Sequence, residues 1–471
     1  MQRSRLESFR KRYIGDRTFY ALVLDIVVPI VIQNAITNFV SLLDNIMVGQ
    51  VGTEPMSGVA IANQMLFVFN LCVFGGISGA GIFSAQYHGA GNQEGVRSCF
   101  RYKLHLCFWL CAAAITLFLL KGKDLISLYL HEGDDPAKLA MTLDHSLRYL
   151  KVMLLGLPAF ALTQTYAGTL RETGQTALPM RAGIIAVFVN LVFNYLLIFG
   201  HFGFPRMGVE GAAVATVLSR YVELAVISLS VHLRTGRYAF AKGIYRTLRV
   251  PGRLVRRITL KGMPLLINEA LWSTGMATLI QCYSVRGLDV VAAMNISSTI
   301  SNLFAVSFLS MGSATSIIVG QSLGANDLEG ARGHAAKLTA FGMFVSAVTG
   351  LVMLAVAPFI PRLYQTEAHV RELATSLLTI YACCMPVFSY ANTAYFILRS
   401  GGKTLITFLF DSGFTWAVMV PVAWILVHLT SLDVRAIYLG VQATDLLKVT
   451  FGHVLIRRGV WLNNMVGEGA E

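Results

Sequence analysis

Long uncharged apolar stretches, separated by short polar segments, run the length of this chain. A helix needs about 20 mostly apolar residues to cross a bilayer. Twelve stretches meet that length, at 21–48, 56–85, 102–120, 147–169, 180–200, 209–231, 259–284, 289–318, 335–358, 376–398, 405–428 and 435–456. None keeps a two-residue alternation for long enough to suggest a barrel. The pattern therefore predicts an all-α polytopic membrane protein of about twelve transmembrane helices.

Composition agrees with lipid as the solvent. Apolar residues make up 55% of the 471 positions and charged ones 13%, against about a quarter charged in a soluble domain. The net charge of +13 suggests a polyanion partner at first sight. Its Lys and Arg residues are dispersed between apolar runs, however, without the basic face and aromatic motif of a nucleic-acid binder, so no nucleic acid is expected. The seven cysteines lie in or beside apolar stretches with no paired metal spacing, and they read as buried reduced thiols.

Charge placement orients the spans. With the N-terminus inside, inner segments hold 26 of the 38 Lys and Arg and outer segments hold 10, while Arg220 and Lys448 fall within spans. The first apolar run is too long for a signal-peptide core and stays as the first span. The reading is a multi-pass protein of the cytoplasmic (inner) membrane with both termini cytoplasmic.

An internal repeat fixes the organisation. Gln86–Arg97, QYHGAGNQEGVR, returns 235 residues later as QSLGANDLEGAR, and Pro29 and Gly52 return at the same offset as Pro264 and Gly287. Pro158, the segment RETGQT from Arg171, and Ala215-Thr216 return 228 residues later as Pro386, RSGGKT from Arg399, and Ala443-Thr444. Six spans per half is an even number, so both halves enter the membrane alike. The chain is divided into a cytoplasmic N-terminus (1–20), an N-lobe (21–231), a cytoplasmic linker (232–258), a C-lobe (259–456) and a cytoplasmic C-terminus (457–471). Such a duplication predicts two pseudo-symmetric six-helix bundles with a cavity between them. The linker is rich in Arg with interleaved Leu, Val and Ile. Two readings of it stay open, a segment lying along the inner leaflet and a solvated topology determinant.

An ionised side chain at the bilayer centre costs about 2.5–3.5 kcal/mol on insertion scales, so each one in a span needs a reason. Asp44 follows an uncharged run from Ile26 to Leu43, and no neighbour on its own helix neutralises it. Asn190 and Asn194 share one face of span 5, and Thr216 of span 6 lies at similar depth. These oxygens are expected to form a nest that holds a proton on Asp44 or a Na⁺ ion among Asp44, Asn190, Asn194 and Thr216. A hydrogen-bonded interhelical cluster is the alternative. Pro29 removes one hydrogen bond half-way along span 1 and marks a hinge. Glu269 in span 7 reads either as a cation-attracting group of the substrate cavity, with Asp44, or as part of a structural pair. Asp411 is expected at the inner interface. The pairs Arg220 with Glu223 and Asp445 with Lys448, spaced i, i+3, are expected to neutralise themselves, and His105 and His131 to sit at the surface. No phosphate-binding loop, serine nucleophile or metal-ligand cluster appears, so the chain is read as a non-enzyme without a cofactor.

In Pro29 with DNIMVGQVG from Asp44, the paired loops at Gln86 and Gln321, VNLVFN from Val189, and GAAVAT from Gly211, the chain resembles the multidrug and toxic compound extrusion (MATE) family. The resemblance covers about residues 20–456. It implies H⁺- or Na⁺-coupled antiport that exports small organic cations by alternating access between two lobes. It also implies coupling through an acidic residue of span 1 with polar residues of spans 5 and 6, which fall on Asp44, Asn190, Asn194 and Thr216, and a span 7 acid that falls on Glu269. Membrane lipids are the expected surroundings, and the chain is read as a monomer. Two other readings are weighed: a lipid-linked saccharide flippase of the same superfamily, in which Arg220 and Lys448 would face a cationic cavity, and a non-transporting membrane enzyme or receptor.

Overall fold

The computed structural model describes residues 12–129, 136–364 and 366–467; His131 and the outermost ends of both termini lie outside them. Helices account for 84% of the chain, and no strand occurs among the described residues. This follows from solvent chemistry, because an unpaired backbone N–H or C=O in hydrocarbon costs several kcal/mol, and a helix satisfies its own.

The helices are α1 (Arg17–Gly49), α2 (Thr53–Gly89), α3 (Gln93–Ser127), α4 (Pro136–Leu154), α5 (Leu157–Glu172), α6 (Ala177–Phe199) and α7 (Val209–Leu233). After the linker come α8 (Gly252–Ser284), α9 (Leu288–Gly324), α10 (Leu328–Val356), α11 (Ala368–Ser400), α12 (Thr404–Leu429) and α13 (Val434–Arg458). Asp16 caps α1, its Oδ1 accepting from the Phe19 N–H at 2.8 Å, which holds this exposed carboxyl below the usual carboxylate range. Among the described residues nine helices are long and apolar enough to span a membrane. Helices α4 and α5, bent by 49° at their junction, make a tenth. Helices α8 and α13 complete the twelve read from the sequence; both carry charges deep in their apolar stretch, Glu269 in one, Asp445 and Lys448 in the other. Helix α12 contains two π-helical stretches, Leu409–Gly413 and Thr415–Met419.

The chain divides into two compact units. The N unit comprises Ile32–Ser84 and Gln93–Thr259; the C unit holds the described residues up to Val31, then Ala85–Asn92, then those from Leu260 onward. Within the N unit one core gathers Phe69, Val73, Ile77, Tyr149, Leu157 and Ile198. Within the C unit one core gathers Ile296, Leu377, Met385 and Ile437, and a second gathers Ile26, Ile318, Leu338, Leu398 and Trp461.

The repeat is visible in the backbone. Gly52 and Gly287 have φ +146° and +122°, Gly91 and Asn326 +72° and +60°, and Gly174 and Gly402 +77° and +70°. Each pair is separated by the repeat offset, so the duplicated loops share turns in a backbone region that favours Gly and tolerates Asn. The cysteines are all free thiols. Four are buried as expected, whereas Cys383 is exposed and Cys72 and Cys384 are partly so, because the outer surface of a helix in lipid needs no polarity.

A close backbone approach organises one end of the C unit. A Cβ built on Gly89 would overlap the Gln321 carbonyl, and one on Gly324 would overlap that of Gln86. These are equivalent positions of the two repeat loops. The fully buried Gln86 side chain donates to Ser400 O (2.9 Å) and Asn463 O (3.2 Å) and accepts from Met465 N–H at 2.7 Å. The tail after α13 is thereby pinned, with Trp461 wholly buried and Asn463 donating to Gly401 O.

Lys103 stands at the start of the apolar run 102–120. Helix α3 begins nine residues earlier than that run, and Lys103 is completely buried in the N unit, 2.5 Å from Glu172 Oε2 and 3.1 Å from Thr169 Oγ1.

Two outcomes follow. Gly324→Ala should lower stability by about 1–3 kcal/mol through overpacking. Gly333→Ala, where a Cβ meets nothing within 4 Å, should not, as thermal unfolding in detergent will register. Lys103→Met should cost about 3–5 kcal/mol by leaving Glu172 without its ammonium partner, and adding Glu172→Leu should recover part of that loss.

Candidate functional site

Asp44 lies in the last turns of α1 and is half-buried. Helix α6 presents Asn190 and Asn194, buried on one face four residues apart, and α7 presents Thr216. The four groups form one chain of hydrogen bonds inside the N unit. Asn194 Nδ2 donates to Asp44 Oδ1 at 2.5 Å and to Asn190 Oδ1 at 3.2 Å. Asn190 Nδ2 donates to Thr216 Oγ1 at 3.3 Å, and the Thr216 hydroxyl donates to Ala212 O at 2.9 Å. Of these donors only the Asn194 N–H₂ reaches the carboxylate; Asn190 and Thr216 donate away from it. A hydrogen bond from an amide N–H to a carboxylate favours its charged form.

One atom is left over. Asn194 Oδ1 is buried and has no hydrogen-bond partner, and an orphaned buried carbonyl is an unpaid desolvation cost of about 1–3 kcal/mol. A hard monovalent cation suits this donor set, since Asp44, the Asn194 and Asn190 carbonyls and the Thr216 hydroxyl are all oxygens. Among the described residues no group of three or more His, Cys, Asp or Glu comes together that could hold a metal. Asp44 is the one acid of the four. Arg220 adds a positive field. Its guanidinium lies 4.6 Å above the Phe160 ring, with Glu223, Tyr149 and Asp44 as electrostatic neighbours.

The nest belongs to one half of the repeat. Residues at the equivalent positions are Leu279 for Asp44, Val418 for Asn190 and Val422 for Asn194; only Thr216 keeps its hydroxyl, in Thr444.

Glu269 lies on α8 in the C unit, within electrostatic reach of Arg399 and Asp411. The charged centre there is one that sequence reading missed. Asp411 is held by partners on two other helices. Its Oδ1 lies 2.8 Å from Lys448 Nζ, and Oδ2 accepts from Asn268 Nδ2 at 3.1 Å. Lys448 thus pairs across helices with Asp411, while Asp445 keeps only a longer-range interaction with it. Asn268 is held in turn by Ser412, whose hydroxyl stands 2.7 Å from Asn268 Oδ1. The repeat offers the signal that could have found this cluster. Asn268 corresponds to Gln33, Asp411 to Gly183 and Lys448 to Arg220, and Gly183 in the N unit is itself flanked by Gln33 and Glu223. His105 is exposed as expected, its Nε2 2.8 Å from Leu248 O.

Comparison with known proteins bears on the whole chain. The family model described as MatE matches residues 29–196 and again 264–425. The second match begins 235 residues after the first, at the offset of the repeat. The chain is similar to the probable multidrug resistance protein NorM of Thermotoga maritima, 24% identical over 93% of this chain and 92% of that protein. It is similar also to the multidrug resistance protein PmpM of Pseudomonas aeruginosa, 26% identical over 85% and 83%. Among solved structures, an outward-facing multidrug resistance MATE family transporter of the MOP superfamily superposes with a TM-score of 0.83 at 20% identity, covering 95% of this chain and 96% of that one. A mutant of the Vibrio cholerae MATE transporter VcmN gives 0.84 at 16% identity, covering 95% and 98%. Such structures have twelve helices in two bundles. Matched twice by the family pattern and aligned nearly end to end with its members, this chain belongs to the MATE family of membrane transporters.

Proposed function

We propose that this chain is a secondary antiporter that exports small organic cations in exchange for H⁺ or Na⁺ entering at Asp44. The relatives named above as multidrug resistance proteins support drug-like cargo. The observation that carries the coupling is the contact of Asn194 with Asp44 beside an unpartnered amide oxygen. A lone carboxylate there is stable either as an acid or as an anion beside a cation. Each form requires a different arrangement of the Asn194 amide, whose N–H₂ answers the bare anion and whose carbonyl answers the proton or Na⁺. Ion occupancy therefore changes the contact between α1 and α6. Two ligands exchange only when each prefers a different state of the protein, and this contact supplies the difference.

Pro29 is the proposed hinge. It lies inside α1, removes one backbone hydrogen bond, and stands two residues before the helix passes from the C unit into the N unit at Val31–Ile32.

A flippase reading draws no support from the two cations on which it depends. Lys448 is engaged by Asp411 and Arg220 is packed against Phe160, so neither is a bare cation awaiting a pyrophosphate.

The test uses purified protein in vesicles, with H⁺ and Na⁺ gradients imposed separately and efflux of a fluorescent organic cation as the readout. Wild-type protein should respond to at least one gradient. Asp44→Asn should reduce the response to that of protein-free vesicles, while Pro29→Ala should slow turnover with cation binding retained. Undiminished coupled efflux by Asp44→Asn would refute the assignment.

A further inference from the structure

Between Glu223 and Glu269 the chain has no acidic residue, yet it carries nine Lys and Arg. In the N unit this region is a folded strap laid along α3. Arg97 donates to Ala239 O, Arg101 to Gly243 O and Ile244 O, and His105 contacts Leu248 O. Tyr238, Phe240, Ile244, Leu254 and Ile258 are buried as pegs beneath it. From Arg97 to His105 the helix rises about 12 Å, and the strap climbs with it. A loop that only fixed topology would need its charges but not this attachment.

The strap ends at a recognisable depth. Residues 106–120 of α3 are uncharged, and one turn beyond His105 stand Phe108 and Trp109, 65% and 68% exposed. Trp favours the boundary between headgroups and acyl chains. Leu248, bound at the level of His105, therefore lies about 6 Å from the level of Trp109 along the helix. Around it Lys242, Arg246, Arg249, Arg253 and Arg256 are exposed, interleaved with Tyr245 and Leu248, each about half exposed. Among the described residues none of these five cations pairs with a carboxylate; Arg101, which holds the strap's backbone, faces Glu94. Unpaired arginines alternating with exposed apolar side chains are poorly suited to water and well suited to a layer of phosphates above hydrocarbon.

We infer that the strap is a binding collar for the headgroups of anionic phospholipids in the leaflet it faces, with Arg246, Arg249, Arg253 and Arg256 as the phosphate ligands and Tyr245 and Leu248 as the acyl-side anchors.

The experiment reconstitutes the full chain in nanodiscs of phosphatidylcholine with and without phosphatidylglycerol, where insertion direction is immaterial. Retained lipids are counted by native mass spectrometry. Wild-type protein should hold phosphatidylglycerol in preference to phosphatidylcholine. The preference should fall about fivefold per arginine removed, and be lost in R246Q/R249Q/R253Q/R256Q. It should largely survive in the corresponding four-lysine variant, fall in Leu248→Asp, and be unchanged in K121Q/K123Q/R362Q/R371Q. An unaltered preference in the linker glutamine variant, or an equal loss in the control variant, would overturn the inference. So would capture of a short RNA without retention of phosphatidylglycerol.

Discussion

A charged or strongly polar group inside hydrocarbon must be answered by a neighbour, and at three places in this protein the answer comes from a different helix. Lys103 of α3 meets Glu172 of α5, Lys448 of α13 meets Asp411 of α12, and Asp44 of α1 meets Asn194 of α6. The first two are ion pairs. The third joins an acid to a neutral amide and leaves a carbonyl oxygen unused. A paired ion gains little from binding anything further, because its partner already supplies the compensating charge. Asp44 differs: its neighbour is a dipole, and a proton or a metal cation still has work to do there. The proposed coupling at Asp44 depends on this distinction.

The duplication sharpens the point. It preserves backbone chemistry faithfully, in shared left-handed turns and in the reciprocal approach of Gly89 and Gly324 to the opposite loop. It does not preserve every charge. The positions equivalent to Lys103 and Glu172 are Leu338, fully buried, and Ser400, and the position equivalent to Asp44 is Leu279. An apolar residue holds the same place in the second half, so the buried pair is not a requirement of the fold. Charges that a fold can do without, yet that are kept at a desolvation cost, are the ones for which a role other than packing is worth seeking.

Much of this was legible in the sequence. Span number follows from the length of apolar runs, and two-fold organisation from repeated loops, since both are local properties of the chain. The nest was legible because i, i+4 spacing on α6 and comparable depth on three helices are fixed by helix geometry alone. Lys103 and Asp411 show what was not legible. Lys103 sits at the start of an apolar run whose helix begins nine residues earlier, and Asp411 lies near the start of a run that coincides with its helix. Partners such as Glu172 and Lys448, 69 and 37 residues away, become visible only when helices are packed. The i, i+3 pair Asp445 and Lys448 misled in the opposite way, since a local partner was available and a better one stood on the next helix.

The π-helical stretch of α12 bears on the same question. Asp411 sits within Leu409–Gly413, where a wider turn replaces the regular α-helical ladder. Such turns are uncommon and recur at functional sites. Here the stretch coincides with the contacts of Asp411 to Lys448 and of Ser412 to Asn268. The residue equivalent to Asp411 is Gly183, in a helix that stays α-helical throughout Ala177–Phe199. One copy of the repeat thus has a carboxylate and a widened turn where the other has no side chain and a regular one. At this position the asymmetry of the two halves joins a difference in charge to a difference in backbone.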